Sequence, residues 1–138
     1  MQSTRDVAQQ YMNLLCAQKF ADAFDMLADQ ATYRIIGTTA ISTPMTGRET
    51  IKAILVPALT SFRTPPRLTC HEIIVEGNRA VGLSSGEGVG PTGIAYSQAH
   101  YAMVLSIKNG QIESVVEYMD TVAVEVALLG NKLVPDRD

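Results

Sequence analysis

Tryptophan is absent from this chain of 138 residues, and cysteine and histidine occur only twice each. Cys16 and Cys70 are too few and too far apart for a disulfide framework or a thiolate metal site. His71 and His100 have no second ligand at metal spacing around them. Charge is also sparse. Only 18% of residues are charged, acids outnumber bases 14 to 11, and the net charge is −3. That balance argues against nucleic acid or an anionic membrane surface as the main partner, since both select basic patches. No apolar run approaches the roughly 20 residues that a membrane-crossing helix needs. The opening MQSTRDVAQQ is polar and lacks the apolar core of an export signal, so a reducing cytoplasm is the expected setting.

What the chain does have is apolar content of 46%, enough for a real core in one domain spanning residues 1–138. Ser3 or Thr4 is placed to cap a first helix whose stripe is Val7, Tyr11, Leu14 and Leu15, flanked by Met12. A second short helix turns Phe20, Phe24 and Leu27 inward. Residues Ala31 to Ile36 read as a strand, and a Thr-, Ser- and Pro-rich loop follows. A third helix runs from Arg48 to about Thr60, with Thr46 as a plausible cap and Pro57 expected to kink or end it. From Arg67 onward the pattern is strand. Gly77-Asn78 and Asn109-Gly110 are hairpin signals that join four antiparallel strands. After Asp120-Thr121, Val122, Val126 and Leu129 repeat at helical spacing, and Gly130 is placed as the stop. Pro135 to Asp138 read as a frayed tail. The fold class is therefore α+β, with helices on one face of a curved sheet.

Most motifs weigh lightly. Gly88, Gly90 and Gly93 spell a dinucleotide fingerprint, but Pro91 interrupts it and a strand follows where a helix is required. A loop with bulges near Gly82 and Gly86 suits them better. Cys16 reads as core, the histidines as structural or surface residues, and Asp120 or Thr121 as the cap of the last helix. Glu117 and Glu87 differ in kind, because each sits late in a strand where a cavity-facing carboxylate is plausible. Alternation alone leaves pocket and solvent equally open for both.

The order of elements and the run Glu117-Tyr118-Met119-Asp120-Thr121 resemble the nuclear transport factor 2-like superfamily. Within it, the chain is similar to SnoaL-like and ketosteroid isomerase-related proteins. The resemblance implies a cone-shaped curved antiparallel sheet with three helices packed on its concave face and a short C-terminal helix. It also implies a deep apolar pocket and a homodimer formed through the outer sheet face. Laid on the limonene epoxide hydrolase pattern, Met12 and Leu15 fall on pocket-lining positions and Tyr33 on the water-positioning tyrosine. Ile35 stands where that pattern has asparagine. Ser85-Gly86-Glu87 stands where it has Arg-x-Asp, and Glu117 falls on its second catalytic acid, with Met119 two positions on. The same register turns Ala99 and Tyr101 inward and His100 outward.

The resemblance thus implies Glu117 as general base, Glu87 as its acid partner and Tyr33 as the third catalytic residue. Met12, Leu15, Phe62, Ala99, Tyr101, Met119 and Asp120 would contact substrate. The expected function is isomerase- or cyclase-type acid–base chemistry on a hydrophobic carbonyl compound, with no metal or cofactor. Two other readings stand beside it: a non-catalytic binding module on the same fold, and an epoxide hydrolase whose arginine comes from Arg34 or Arg63. If Glu87 and Glu117 share an apolar cavity, the pair should hold about one proton at neutral pH.

Overall fold

The computed structural model describes residues 2–136. Met1 and the end of the expected tail, residues 137–138, lie outside them. Helix α1 (Thr4–Cys16) starts at Ser3. The Ser3 hydroxyl accepts from the Asp6 amide at 3.1 Å, and the Asp6 carboxylate accepts from the Ser3 amide at 3.3 Å. This reciprocal box satisfies two backbone donors that the first turn leaves free. The helix buries Val7, Ala8, Tyr11, Met12 and Leu15.

Helix α2 (Phe20–Phe24) is followed by strand β1 (Leu27–Ile35). Leu27 is therefore not on the second helix but opens the strand, four residues earlier than the β-branched run suggested. The polar Asp29 and Gln30 hide that start, and the pairing of β1 with its neighbour shifts register between Leu27 and Thr32. The two-residue strand β2 (Met45–Thr46) leads into helix α3 (Arg48–Thr60). Thr46 belongs to β2, and Gly47, at φ 95°, is the residue that caps α3, without a side-chain bond. Pro57 neither ends nor breaks α3. It lies on the exposed side, where the carbonyl deprived of its donor can meet water.

The remaining strands are β3 (Thr64–Glu76), β4 (Arg79–Val89), β5 (Ala95–Lys108) and β6 (Gln111–Tyr118). They form the expected antiparallel meander. Asn109 and Gly110 both have positive φ, 53° and 75°, which is what a two-residue hairpin turn of the primed kind demands. The six strands make one curved sheet in the order β2-β1-β6-β5-β4-β3, with β1 parallel to β6. Helix α1 packs on β3, β4 and β5, and α3 packs on β1 and β2, so the helices cover the inner face. Strand β3 forms one border of the sheet. There Arg5 donates to the Ile73 carbonyl at 3.2 Å, and Gln18 donates to the carbonyls of Pro65 and Pro66, each at 3.2 Å.

Irregularities on both sides of β4 set which residues point inward. Pairing shifts between Cys70 and Glu72 on the β3 side, and between Ser84 and Gly86 on the β5 side. In β5 the buried side chains are Tyr96 and Gln98 before the shift, then Tyr101, Met103, Leu105 and Ile107 after it. Gly86 adjoins a shift as expected, whereas Gly82 does not. Gly82 serves close packing instead: a Cβ there would sit 2.8 Å from the Met12 sulfur.

The chain closes with α4 (Thr121–Ala123), which runs into a π-helical turn over Val124–Leu128. Val124 and Ala127 pack with Tyr96, Phe62 and Met119 in a second small core.

Candidate functional site

Strand β6 delivers Glu117 to the inner face. Its backbone neighbours are Ile35 on β1 and Met103 on β5, both buried and apolar. The residue keeps partial exposure, but its carboxyl is closely surrounded by protein. Among the described residues no cation pairs with it. Burial therefore disfavours the charged form and raises its pKa from 4.5 to about 7. The Tyr11 hydroxyl, on α1, is close enough to feel this charge. Burial first, and then Glu117, hold the phenol well above its ordinary pKa, so Tyr11 stays a neutral donor. Its oxygen is buried and has no hydrogen-bond partner.

Glu87 does not join Glu117. It is exposed, opposite Arg67 on β3 and Ser97 on β5. The inner residues of β4 are Ala80, Gly82, Ser84 and Gly86, which leaves the next odd position on the outer face. The expected carboxylate pair, and the single proton it would share, are therefore not formed in this structure. Ala99 is also exposed rather than inward, because the shift after Gln98 places Ala99 and His100 together outside. Arg34 and Arg63 are both exposed, and Arg63 packs over Gly93, so neither supplies the arginine of an epoxide hydrolase site.

The other expected residues fall as follows. Met12, Leu15, Tyr33 and Tyr101 are buried in the main core. Tyr33 lies edge-on to Phe24 with ring centres 6.0 Å apart, opposite Val115, one inner position before Glu117. Phe62 is half-buried and edge-on to Tyr96 at 5.7 Å, and Met119 is half-buried beside it. Asp120 is exposed. Its carboxylate caps α4, accepting from the amides of Val122 at 2.9 Å and Ala123 at 3.4 Å. The side chain is thus engaged as the helix cap that the sequence suggested.

Four interior polar residues were not singled out as site residues in the sequence: Tyr11, Ser84, Tyr96 and Gln98. Gln98 is 1% exposed and donates to the Tyr96 hydroxyl at 3.1 Å; the Tyr96 and Tyr101 hydroxyls lie 2.9 Å apart. Burial raises the pKa of both tyrosines, which keeps them protonated. The available signal was Gln98 itself, a polar residue in step with Tyr96 on an apolar strand. On the outer face, an open groove of about 630 Å³ includes Ile36, His71, Leu83, His100 and Tyr118 in its lining. His71 Nε2 and Ser85 Oγ meet there at 2.8 Å. Ser84, Tyr101 and Met119, which the strand register turns inward, border this groove as well. Among the described residues no three His, Cys, Asp or Glu side chains converge as a metal site requires, and no helix is long and apolar enough to cross a membrane.

A family profile described as a SnoaL-like domain matches residues 8–115. Comparison with curated proteins by sequence gives no match. Among solved structures, a nuclear transport factor 2-like protein of unknown function from Burkholderia pseudomallei superposes with a TM-score of 0.79 at 14% identity, covering 93% of this chain and 98% of that one. A Bacillus subtilis protein proposed to be an isomerase gives 0.77 at 16% identity, covering 95% and 96%. TerC, co-crystallised with polyporic acid, gives 0.76 at 16% identity, covering 90% and 96%. At such identities the likeness establishes the cone-shaped fold and no particular reaction.

Proposed function

The chain belongs to the SnoaL-like domain family, and on that premise we propose an acid–base enzyme of isomerase or cyclase type, acting on a hydrophobic carbonyl compound. The observation that carries the reading is Glu117, a carboxyl enclosed between Ile35 and Met103 with no ion-pair partner among the described residues. A proton-transfer group works best with a pKa near the working pH, and burial brings Glu117 to about 7. Glu117 takes a proton from the carbon next to the carbonyl and returns it at a second position. Tyr11 donates a hydrogen bond to the oxygen on which charge develops. Glu87 has no part in this mechanism.

TerC co-crystallised with polyporic acid and a neighbour proposed to be an isomerase support small-molecule chemistry on this scaffold. A second reading, a binding module without catalysis, is favoured by one observation: Glu117 has no companion carboxylate. We also propose a homodimer that forms through the outer sheet face, in a cytoplasmic setting. Val81, Val104 and Val116 align there across β4, β5 and β6, and apolar patches of this kind usually mark interfaces.

The test is deuterium exchange at the carbon next to a ketone in a panel of hydrophobic ketones, followed by mass spectrometry. Exchange by the native protein that Glu117→Gln abolishes supports the enzyme. Native exchange that survives Glu117→Gln refutes this mechanism, and tight binding without exchange supports the module.

A further inference from the structure

We propose that the interior holds a second anchoring subsite, the Ser84 hydroxyl beside the Tyr96–Tyr101 pair, which selects an uncharged ligand carrying two separated carbonyl-type oxygens. The inference rests on the reading that a ligand enters beside Glu117.

Hydrogen counting supports it. The Asp120 amide can only donate, so the Gln98 atom 2.8 Å from it is the oxygen Oε1. Gln98 Nε2 therefore faces the other way, donating to the Asp120 carbonyl at 2.8 Å and to the Tyr96 hydroxyl at 3.1 Å. Two hydroxyl protons belong to Tyr96 and Tyr101, and one fills the 2.9 Å bond between them. The other has no oxygen acceptor, only the Met119 sulfur at 3.9 Å from Tyr96. Ser84 is 3% exposed, and its hydroxyl, like that of Tyr11, has no partner at all. The interior is thus rich in O–H donors and poor in acceptors. Buried polar groups are nearly always paired in native proteins, so such a surplus calls for an acceptor-bearing occupant.

Placement divides the donors into two groups. Ser84 and Tyr101 are direct partners across β4 and β5, so their side chains start side by side. The Tyr101 ring leans over Gly86, where a Cβ would sit 3.0 Å from the ring. Glu117 faces Met103, two residues along β5 from Tyr101, which is roughly 7 Å. The Met12 thioether lies over Gly82 in that same row, and an unbranched thioether moves aside readily. Charge narrows the class further. Among the described residues the buried polar side chains are Ser42, Ser84 and Gln98, with no lysine or arginine. A carboxylate or phosphate ligand would lose its hydration there without a compensating cation.

The experiment is calorimetric titration of the native protein and Ser84→Ala with 1,4-diacetylbenzene, 4-ethylacetophenone and 4-acetylbenzoate near neutral pH. The native protein should prefer the diketone to the monoketone and reject the carboxylate. Ser84→Ala should weaken the diketone roughly 3- to 10-fold, the worth of one neutral hydrogen bond, and leave the monoketone unchanged. Equal losses for both ketones, tighter binding of the carboxylate, or binding of none of the three overturns the subsite. The enzyme reading fails by a different result. If Ser84→Ala behaves as stated while Glu117 titrates as an ordinary carboxylate, the acid–base chemistry falls and the subsite stands.

Discussion

Gln98 holds Asp120 by both ends of its backbone, accepting from its amide and donating to its carbonyl, each at 2.8 Å. The amide side chain thereby imitates a strand neighbour and ties the middle of β5 to the chain just after β6. Asp120 then caps α4, so one buried side chain fixes where the terminal turn begins.

Gln98→Ala should therefore cost about 1–3 kcal/mol, the penalty for leaving buried partners unpaired. Gln98→Glu should cost at least as much, since a carboxylate facing the Asp120 carbonyl has no hydrogen to give. Urea unfolding measures both. Loss within about 0.5 kcal/mol of zero for either variant would show that water replaces the clamp.

Glu117 makes stability depend on pH. Its pKa is 4.5 when unfolded and about 7 when folded. Between those values the unfolded chain has released the proton and the folded chain has not, so stability falls as pH rises through that window and then levels. The full cost is up to about 3 kcal/mol. Glu117→Gln should gain most of it above pH 7 and little below pH 4.5. A gain that is the same at both ends would mean that ionisation is not the cause.

Two glycines should respond differently to alanine. A Cβ on Gly90 would overlap the Ala127 carbonyl oxygen, whereas one on Gly110 meets nothing within 4 Å but sits at φ 75°. Gly110→Ala should cost about 1 kcal/mol through backbone strain. Gly90→Ala should cost about 1–3 kcal/mol and loosen the terminal turn, seen as faster amide exchange in Val124–Leu128. Slow exchange there in Gly90→Ala would contradict the clash.

The proposed dimer predicts a single sedimenting species of twice the chain mass at tens of micromolar. Val116→Asp, on the outer face of β6, should convert it to monomer without changing the circular dichroism. A native protein that sediments as monomer removes the proposal.

The caps of the first and last helices, the meander and its tight turns were legible because short-range chemistry dictates them: Ser3 or Thr4 before α1, Asn109 with Gly110, Asp120 or Thr121 before α4. Thr46, by contrast, proved to lie one residue before the cap of α3. The inward side of late β6 came from the family resemblance, since alternation places Val115, Glu117 and Met119 on one face without saying whether that face meets the core or solvent. The orientation of β4 was hidden for a physical reason. Its large residues Val81 and Leu83 face outward, and its inner face is Gly82, Ser84 and Gly86, small because Met12 and Tyr101 lie against it. Apolar alternation then points the wrong way. Ala99 was lost to the register shift beside it, which no local residue preference announces. Tyr11 could be placed in the core from periodicity, but its closeness to Glu117 depends on how α1 crosses the sheet.

The contacts of Arg5 and Gln18 with the border strand have a further consequence. An uncovered β3 would present a row of free carbonyls to any other chain, which is the template on which sheets from separate molecules join. By occupying three of those carbonyls, Arg5 in the first turn of α1 and Gln18 just past its end keep the sheet from extending into a neighbour. Partial unfolding that frees only the first helix would therefore lead to edge-to-edge aggregation while most of the sheet is still intact.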